Sequence, residues 1–230
     1  MTLIRSRPHG KGILGRNKTG PVLYLGDTQK SASQWSDISG HGNHGIVYGA
    51  GTPPAATPGA LGYILDGVDD YVNLGTTANL GLSGAGSISF WLNYRNTGSV
   101  PDRLLMAKRD GTGTNYQLSI VPGNGNVFAS YSGAPQQKSS YVVPTNQWVH
   151  LALVRTAVNT SVLYANGVSV YTFSLDWGAG TSALLGIGGN PSVGSYYIGA
   201  LIDEVRIFNR ALSATEIKRL YERTRILFGV

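Results

Sequence analysis

Two carboxyls facing one bond would carry glycoside hydrolysis, and the acids here are badly placed for it. The only glutamates are Glu204, Glu216 and Glu222, all close to the C-terminus. Asp69-Asp70 is an adjacent acid pair, whereas glycoside hydrolysis needs two carboxyls facing one bond across roughly 5–10 Å. Neighbouring side chains on a strand point to opposite faces. The pair reads instead as a turn whose aspartates accept hydrogen bonds from backbone amides. His41 and His44 sit in a glycine-rich loop with no serine or cysteine nucleophile motif beside them. His150 alternates with apolar residues in the run Trp148–Val154 and reads as a structural histidine with its hydrogen bonds satisfied. No G-x-S-x-G, phosphate-binding loop or Cys/His metal pattern occurs. The expectation is a protein that is not an enzyme.

Binding chemistry has better candidates. Tyr131, Tyr141, Tyr196 and Tyr197 lie in Ser/Gly-rich settings where an exposed ring could stack on a sugar, and Trp35 and Trp177 are similar. From these, Trp35, Trp177, Tyr196 and Tyr197 form the expected carbohydrate-binding set. Trp91 and Trp148 read as core, and with 13 tyrosines in the chain ordinary packing accounts for most of them.

Charge is the second source of candidates. The net charge is +6, but it is unevenly held. Arg5, Arg7, Lys11, Arg16 and Lys18 fall in the first twenty residues without one acid, and Lys218, Arg219, Arg223 and Arg225 crowd the other end. Residues 21–217 carry nine basic and eleven acidic side chains, so the body is slightly negative. Two readings of the first twenty residues stay open: a solvated tail, or an arm lying on an acidic partner. Nucleic acid fits the arm poorly, since no aromatic residue there could stack on bases. Beyond the last helix, Arg223, Arg225 and Phe228 could form a second partner contact. The N-terminus lacks the apolar core of a signal peptide, and no apolar run is long enough to span a membrane.

The elements that must hold these residues are strands. Glycine (32 residues) punctuates short β-branched and aromatic runs, charged residues make up only 13%, and there is no cysteine. Strands are expected at Val22–Leu25, Ile46–Tyr48, Leu61–Leu65, Tyr71–Leu74, Ser87–Leu92, Arg103–Ala107, Tyr116–Val121, Val127–Tyr131, Trp148–Val154, Ala183–Ile187, Tyr196–Ile198 and Leu201–Phe208. Residues 35–45 read as a loop and residues 49–60 as a Pro/Ala/Gly linker inside the domain. Ser161–Ala165 and Val168–Phe173 flank Asn166-Gly167, whose residues tolerate the positive φ angles of a type I′ hairpin turn. Ser213 and Glu216 have capping-box spacing ahead of Ile217, Leu220 and Tyr221, which share one helical face and would clasp the strands. The expected organisation is an arm over 1–20, an all-β two-sheet antiparallel jelly-roll sandwich over 21–211, and a helix with its tail over 212–230.

Six segments in order resemble the LamG-like jelly-roll domains of the concanavalin A-like lectin and glucanase superfamily. They are Asp37–Gly45, Leu65–Val72, Ser87–Leu92, Trp148–Ala152, Leu163–Gly167 and Leu201–Ser213. The resemblance implies two curved antiparallel sheets, and the E-x-D-x-E strand of the superfamily's glucanases is missing here. It also implies a structural calcium between an early loop and the last strand, for which Asp37, Asn43 and Asp203 are the matching positions; a hydrogen bond from Asp203 to that loop is the alternative. Such domains serve in sugar binding, adhesion and the coats of bacterial viruses, so two functions are expected. One is a capsid-decorating protein of a phage-like virion, made in the host cytoplasm and held through its termini to copies of itself and to a particle protein. The other is a carbohydrate-binding, lectin-like adhesion module.

Overall fold

The computed structural model describes residues 19–31, 33–49, 61–76, 80–82, 84–95, 103–109, 114–130, 135–175 and 183–230. The expected arm with Arg5, Arg7, Lys11, Arg16 and Lys18, nearly all of the 49–60 linker, Tyr131 and Trp177 lie outside the described residues.

Fifteen strands and one helix make up the described chain. The first layer uses β1 (Leu23–Lys30), β4 (Tyr63–Asp66), β6 (Gly86–Tyr94), β11 (Trp148–Ala157), β12 (Thr160–Ala165), β13 (Val168–Phe173) and β15 (Gly199–Phe208). The second uses β3 (Gly45–Tyr48), β5 (Tyr71–Asn73), β7 (Arg103–Arg109), β8 (Thr114–Ile120), β9 (Asn126–Ser130), β10 (Gln137–Val142) and β14 (Leu184–Ile187). Their orders are β1-β15-β6-β11-β12-β13, with β4 also on β15, and β3-β5-β14-β7-β8-β9-β10. The short β2 (Gln34–Asp37) pairs with both β1 and β3, so it turns the corner between the layers. All strand pairs are antiparallel.

Period-2 alternation drives the layers together. Leu23, Leu25, Phe90, Leu92, Leu151 and Ile207 of the first layer join one apolar cluster with Val72, Leu105, Leu118, Val127 and Ile187 of the second. Each is essentially inaccessible to solvent, and fully burying a side chain of this size is worth roughly 1.5–3 kcal/mol. Asn166 (φ +49°) and Gly167 (φ +81°) form the β12–β13 turn as their types require.

Helix α1 (Ala214–Thr224) begins with the expected capping box, in which both halves of the Ser213–Glu216 exchange are made. It closes the outer face of the first layer. Ile217 packs with Ala152, Val154, Tyr164, Phe208 and Leu212, and the one-turn 3-10 segment Arg225–Phe228 follows. Phe228 lies flat on Trp91, with ring centroids 4.3 Å apart, and 4.7 Å from the Trp148 ring. Trp91 Nε1 donates to Thr224 Oγ1 at 2.8 Å. The clasp is therefore apolar stacking with one polar pin. No helix among the described residues is long and apolar enough to cross a membrane.

Two expectations about strands need correction. Residues 34–37 are strand rather than loop, because backbone pairing on both sides outweighs a polar sequence. Residues 196–198 are not strand: Tyr196 sits at φ +64°, closing the turn that leads into β15.

Candidate functional site

The outer face of the second layer is open where β3 meets β5. Ile46, Val47 and Tyr48 pair in register with Asn73, Val72 and Tyr71. Val72 is fully buried, so alternation sends Ile46, Tyr48, Tyr71 and Asn73 outwards. Tyr48 and Tyr71 are direct cross-strand neighbours, and their rings stack with centroids 4.9 Å apart and planes 6° from parallel. Tyr197 extends the row, its centroid 6.1 Å from that of Tyr71. Tyr48 is 42% exposed, and Tyr71 and Tyr197 are half-buried. Gly189 makes this arrangement possible. A Cβ there would stand 2.8 Å from Tyr197 Cδ1 and 3.0 Å from Tyr71 Cβ, so only glycine lets the Tyr197 ring lie down beside Tyr71.

One end of the row borders an acidic turn. Ligating oxygens of Asp66, Asp69 and Asp70 lie within 4.8 Å of one another. Asp66 Oδ1 accepts from the amides of Val68 (2.7 Å) and Asp69 (3.3 Å), and Asp70 Oδ2 accepts from Asp66 N at 3.0 Å. The expected aspartate turn is thus present, built on Asp66 and Asp70. Burial pushes the Asp70 carboxyl up to about 6, and the charges of Asp66 and Asp69 push the same way against the stabilising amide. The Asp69 carboxylate receives no hydrogen bond from the described residues. Its charge reaches Tyr197, whose phenol is raised by burial first and by Asp69 second. Tyr71 is raised by burial, then by its two tyrosine neighbours.

The sequence singled out only Tyr197 of this row. Trp35, expected to face a ligand, is wholly buried. Its ring packs 4.7 Å from Tyr63 and its Nε1 donates to Gly26 O at 2.9 Å, so its serine-rich surroundings misled. Tyr196 is half-buried beneath Arg109, whose Cζ stands 5.6 Å from the ring centroid. Tyr141 packs on the core, and burial raises its phenol. Tyr48 and Tyr71 were missed because register, not local composition, brings them together.

The other expected sites are distributed as follows. Asp37 accepts four hydrogen bonds: from Tyr24 N and Ser39 N on Oδ1, and from Ser39 Oγ and Asn43 N on Oδ2, all at 2.9 Å. Asn43 Nδ2 donates to Val22 O at 2.7 Å, and Asp203 Oδ1 accepts from Glu204 N at 2.7 Å. Calcium takes six to eight oxygens, and the Asp37 lone pairs are already committed to protein donors, so these residues do not fit a calcium cradle. Arg223 and Arg225 are exposed at the C-terminus. Phe228, expected beside them as a partner contact, is instead the buried anchor of the clasp. His150 is buried as expected but not satisfied: neither ring nitrogen has a hydrogen-bond partner among the described residues.

The glutamates all have structural work. Glu204, at φ +54° in the bulge of β15, pairs with Arg206 and accepts from Tyr24 Oη at 2.8 Å. Glu216 caps α1 and holds Arg210 at 2.7 Å, a pairing that draws its carboxyl down to about 2. Glu222 stands 3.8 Å from Lys218.

Comparison with known proteins places this geometry. Residues 66–218 match the Laminin_G_3 family, described as the concanavalin A-like lectin/glucanases superfamily. The chain belongs to that superfamily. No curated protein sequence matches it. Domain 4 of AbnA, an extracellular arabinanase of Geobacillus stearothermophilus solved with arabinotriose, superposes with a TM-score of 0.67 at 22% identity, covering 88% of this chain and 98% of that one. Trypanosoma rangeli sialidase with sialic acid gives 0.67 at 17% identity, over 90% of this chain and 33% of that one. The binding domain of botulinum neurotoxin DC with SialylT gives 0.68 at 16% identity, over 90% and 52%. The superfamily member described here thus spans about a third of the sialidase chain and about half of the neurotoxin binding-domain chain. At such identities the likeness is one of fold.

Proposed function

We propose that this domain is a carbohydrate-binding, lectin-like module that does no catalysis, and that its sugar contact is the row Tyr48–Tyr71–Tyr197. The row itself carries the reading: three successive phenols on a sheet face, centroids 4.9 and 6.1 Å apart, with carboxylate acceptors beside them. A pyranose or furanose offers a C–H face to lie on such rings and hydroxyls to donate to the carboxylates. Structural neighbours caught with arabinotriose and sialic acid support the reading at the level of fold. The structural employment of all three glutamates supports the absence of catalysis.

Attachment to a particle through the termini has less support. On the C-terminal side it retains only the exposed Arg223 and Arg225, because Phe228 is committed to the clasp.

Screening the full chain on an oligosaccharide array tests the proposal, followed by titration of Tyr71→Ala against the best-retained sugar. The half-exposed ring can be removed without opening the core. The variant is expected to lose at least about tenfold in affinity, roughly 1.4 kcal/mol, with little change in Tm. Unchanged affinity would remove the tyrosine row from the site.

A further inference from the structure

From the acidic turn beside the tyrosine row, we infer that the ligand is a neutral glycan and that sialylated or uronic-acid glycans are rejected; this rests on the lectin reading above. The tyrosine row contributes apolar faces of one kind, indifferent to the charge of a sugar. Discrimination comes from its surroundings. Asp66, Asp69 and Asp70 bring their oxygens within 4.8 Å of one another, and the Asp69 charge is felt at the Tyr197 phenol. The amides spent on this turn go to Asp66 and Asp70, so Asp69 keeps an uncompensated charge at the rim. An ionised carboxylate only accepts hydrogen bonds. A ligand next to it must therefore donate, which hydroxyls do and a ligand carboxylate cannot. Arg109 lies over the ring of Tyr196 rather than over these three rings. The exposed apolar residues on the same elements, Ile46 on β3, Val68 in the acidic turn and Val193 in the turn before Tyr197, add contact surface but no cation. The site is thus an aromatic platform with an anionic edge, of opposite preference to the sialic-acid ligands seen on structural neighbours.

The test is an array of matched oligosaccharides, each printed in neutral form and with a terminal sialic or uronic acid. It is read at pH 7.5 in low salt with the full chain and with Asp69→Asn. Retention of neutral glycans is expected, with acidic counterparts at least about tenfold weaker; Asp69→Asn and, separately, 1 M salt should each narrow that gap roughly threefold. The salt series on the unmodified chain stands if the variant folds poorly. Equal binding of acidic and neutral partners, with Tyr71→Ala abolishing both, would overturn the charge inference and leave the lectin reading intact. A neutral preference indifferent to Asp69→Asn and to salt would also overturn it. Retention of no glycan at all would bring down the lectin reading and this inference together.

Discussion

Replacing His150 by phenylalanine should stabilise the protein, and increasingly so as the pH falls. The imidazole is fully buried, 5.5 Å from the Trp91 ring centroid and 6.2 Å from that of Tyr221, and neither of its nitrogens has a hydrogen-bond partner among the described residues. Leaving buried polar atoms unpaired costs roughly 1–3 kcal/mol, while a ring-for-ring exchange costs less than about 1.5 kcal/mol in packing. At pH 7.5 the first outweighs the second by about 1 kcal/mol. Burial, helped by the Arg206 charge, holds the imidazole down to about 3, against 6.5 in the unfolded chain. Between those values the unfolded state binds a proton that the native state cannot. Stability is therefore lost as the pH drops below 6.5, by about 1.36 kcal/mol per pH unit, or about 2 kcal/mol at pH 5. Phenylalanine does not titrate, so the difference between variant and parent should grow from about 1 to about 3 kcal/mol across that range. Urea unfolding followed by tryptophan emission at pH 7.5, 6.5, 5.5 and 5.0 measures it, and other titrating groups cancel in the difference. A difference flat with pH, or a variant less stable throughout, would show that the imidazole is partnered or protonates within the fold.

Asp70→Asn should reveal the opposite slope. With its carboxyl raised to about 6, native Asp70 retains a proton that the unfolded chain releases near 4. The parent therefore loses stability relative to the variant as pH rises from 4 to 6, by about 2–3 kcal/mol in urea unfolding; parallel curves would refute the assignment. Phe228→Ala should cost about 3 kcal/mol by emptying the space against Trp91 and Trp148, with a red-shifted native tryptophan emission. If stability is retained, the residue is free for a partner after all.

How much of this was legible in the sequence follows the distance over which each feature is decided. The Asn166-Gly167 turn and the Ser213–Glu216 capping box are settled within a few residues, and both stand where composition put them. Strands with a core-facing period, β6 and β11 above all, were equally plain. Strand β2 was not, because Gln34–Asp37 owes its conformation to ladders on either side rather than to its own residues. Context misjudged Trp35 and Phe228 for a related reason: polar or basic neighbours in sequence say nothing about which cavity a large ring fills. The tyrosine row depends on the pairing of two short strands and on a glycine in a third segment. No local pattern carries that.

The two outer faces of the sandwich have been resolved in opposite ways, and this bears on where a ligand can go. On the first layer Trp91 and Trp148 are spent on Phe228, and Trp91 also on Tyr221 of the helix above, which is capped to stay in place. On the second layer no helix among the described residues covers Tyr48 and Tyr71, and Tyr48 is the one aromatic among the strongly exposed large apolar residues of the described chain. A stacked pair of phenols contributes about 0.5–1.5 kcal/mol by itself, and a ligand laid on the exposed faces would add the burial of their remaining apolar area. The stack beside the Asp69 carboxylate is therefore read, with the proposal above, as a surface that a ligand completes. Removing Tyr71 should consequently register in binding far more than in unfolding, whereas removing Phe228 should do the reverse.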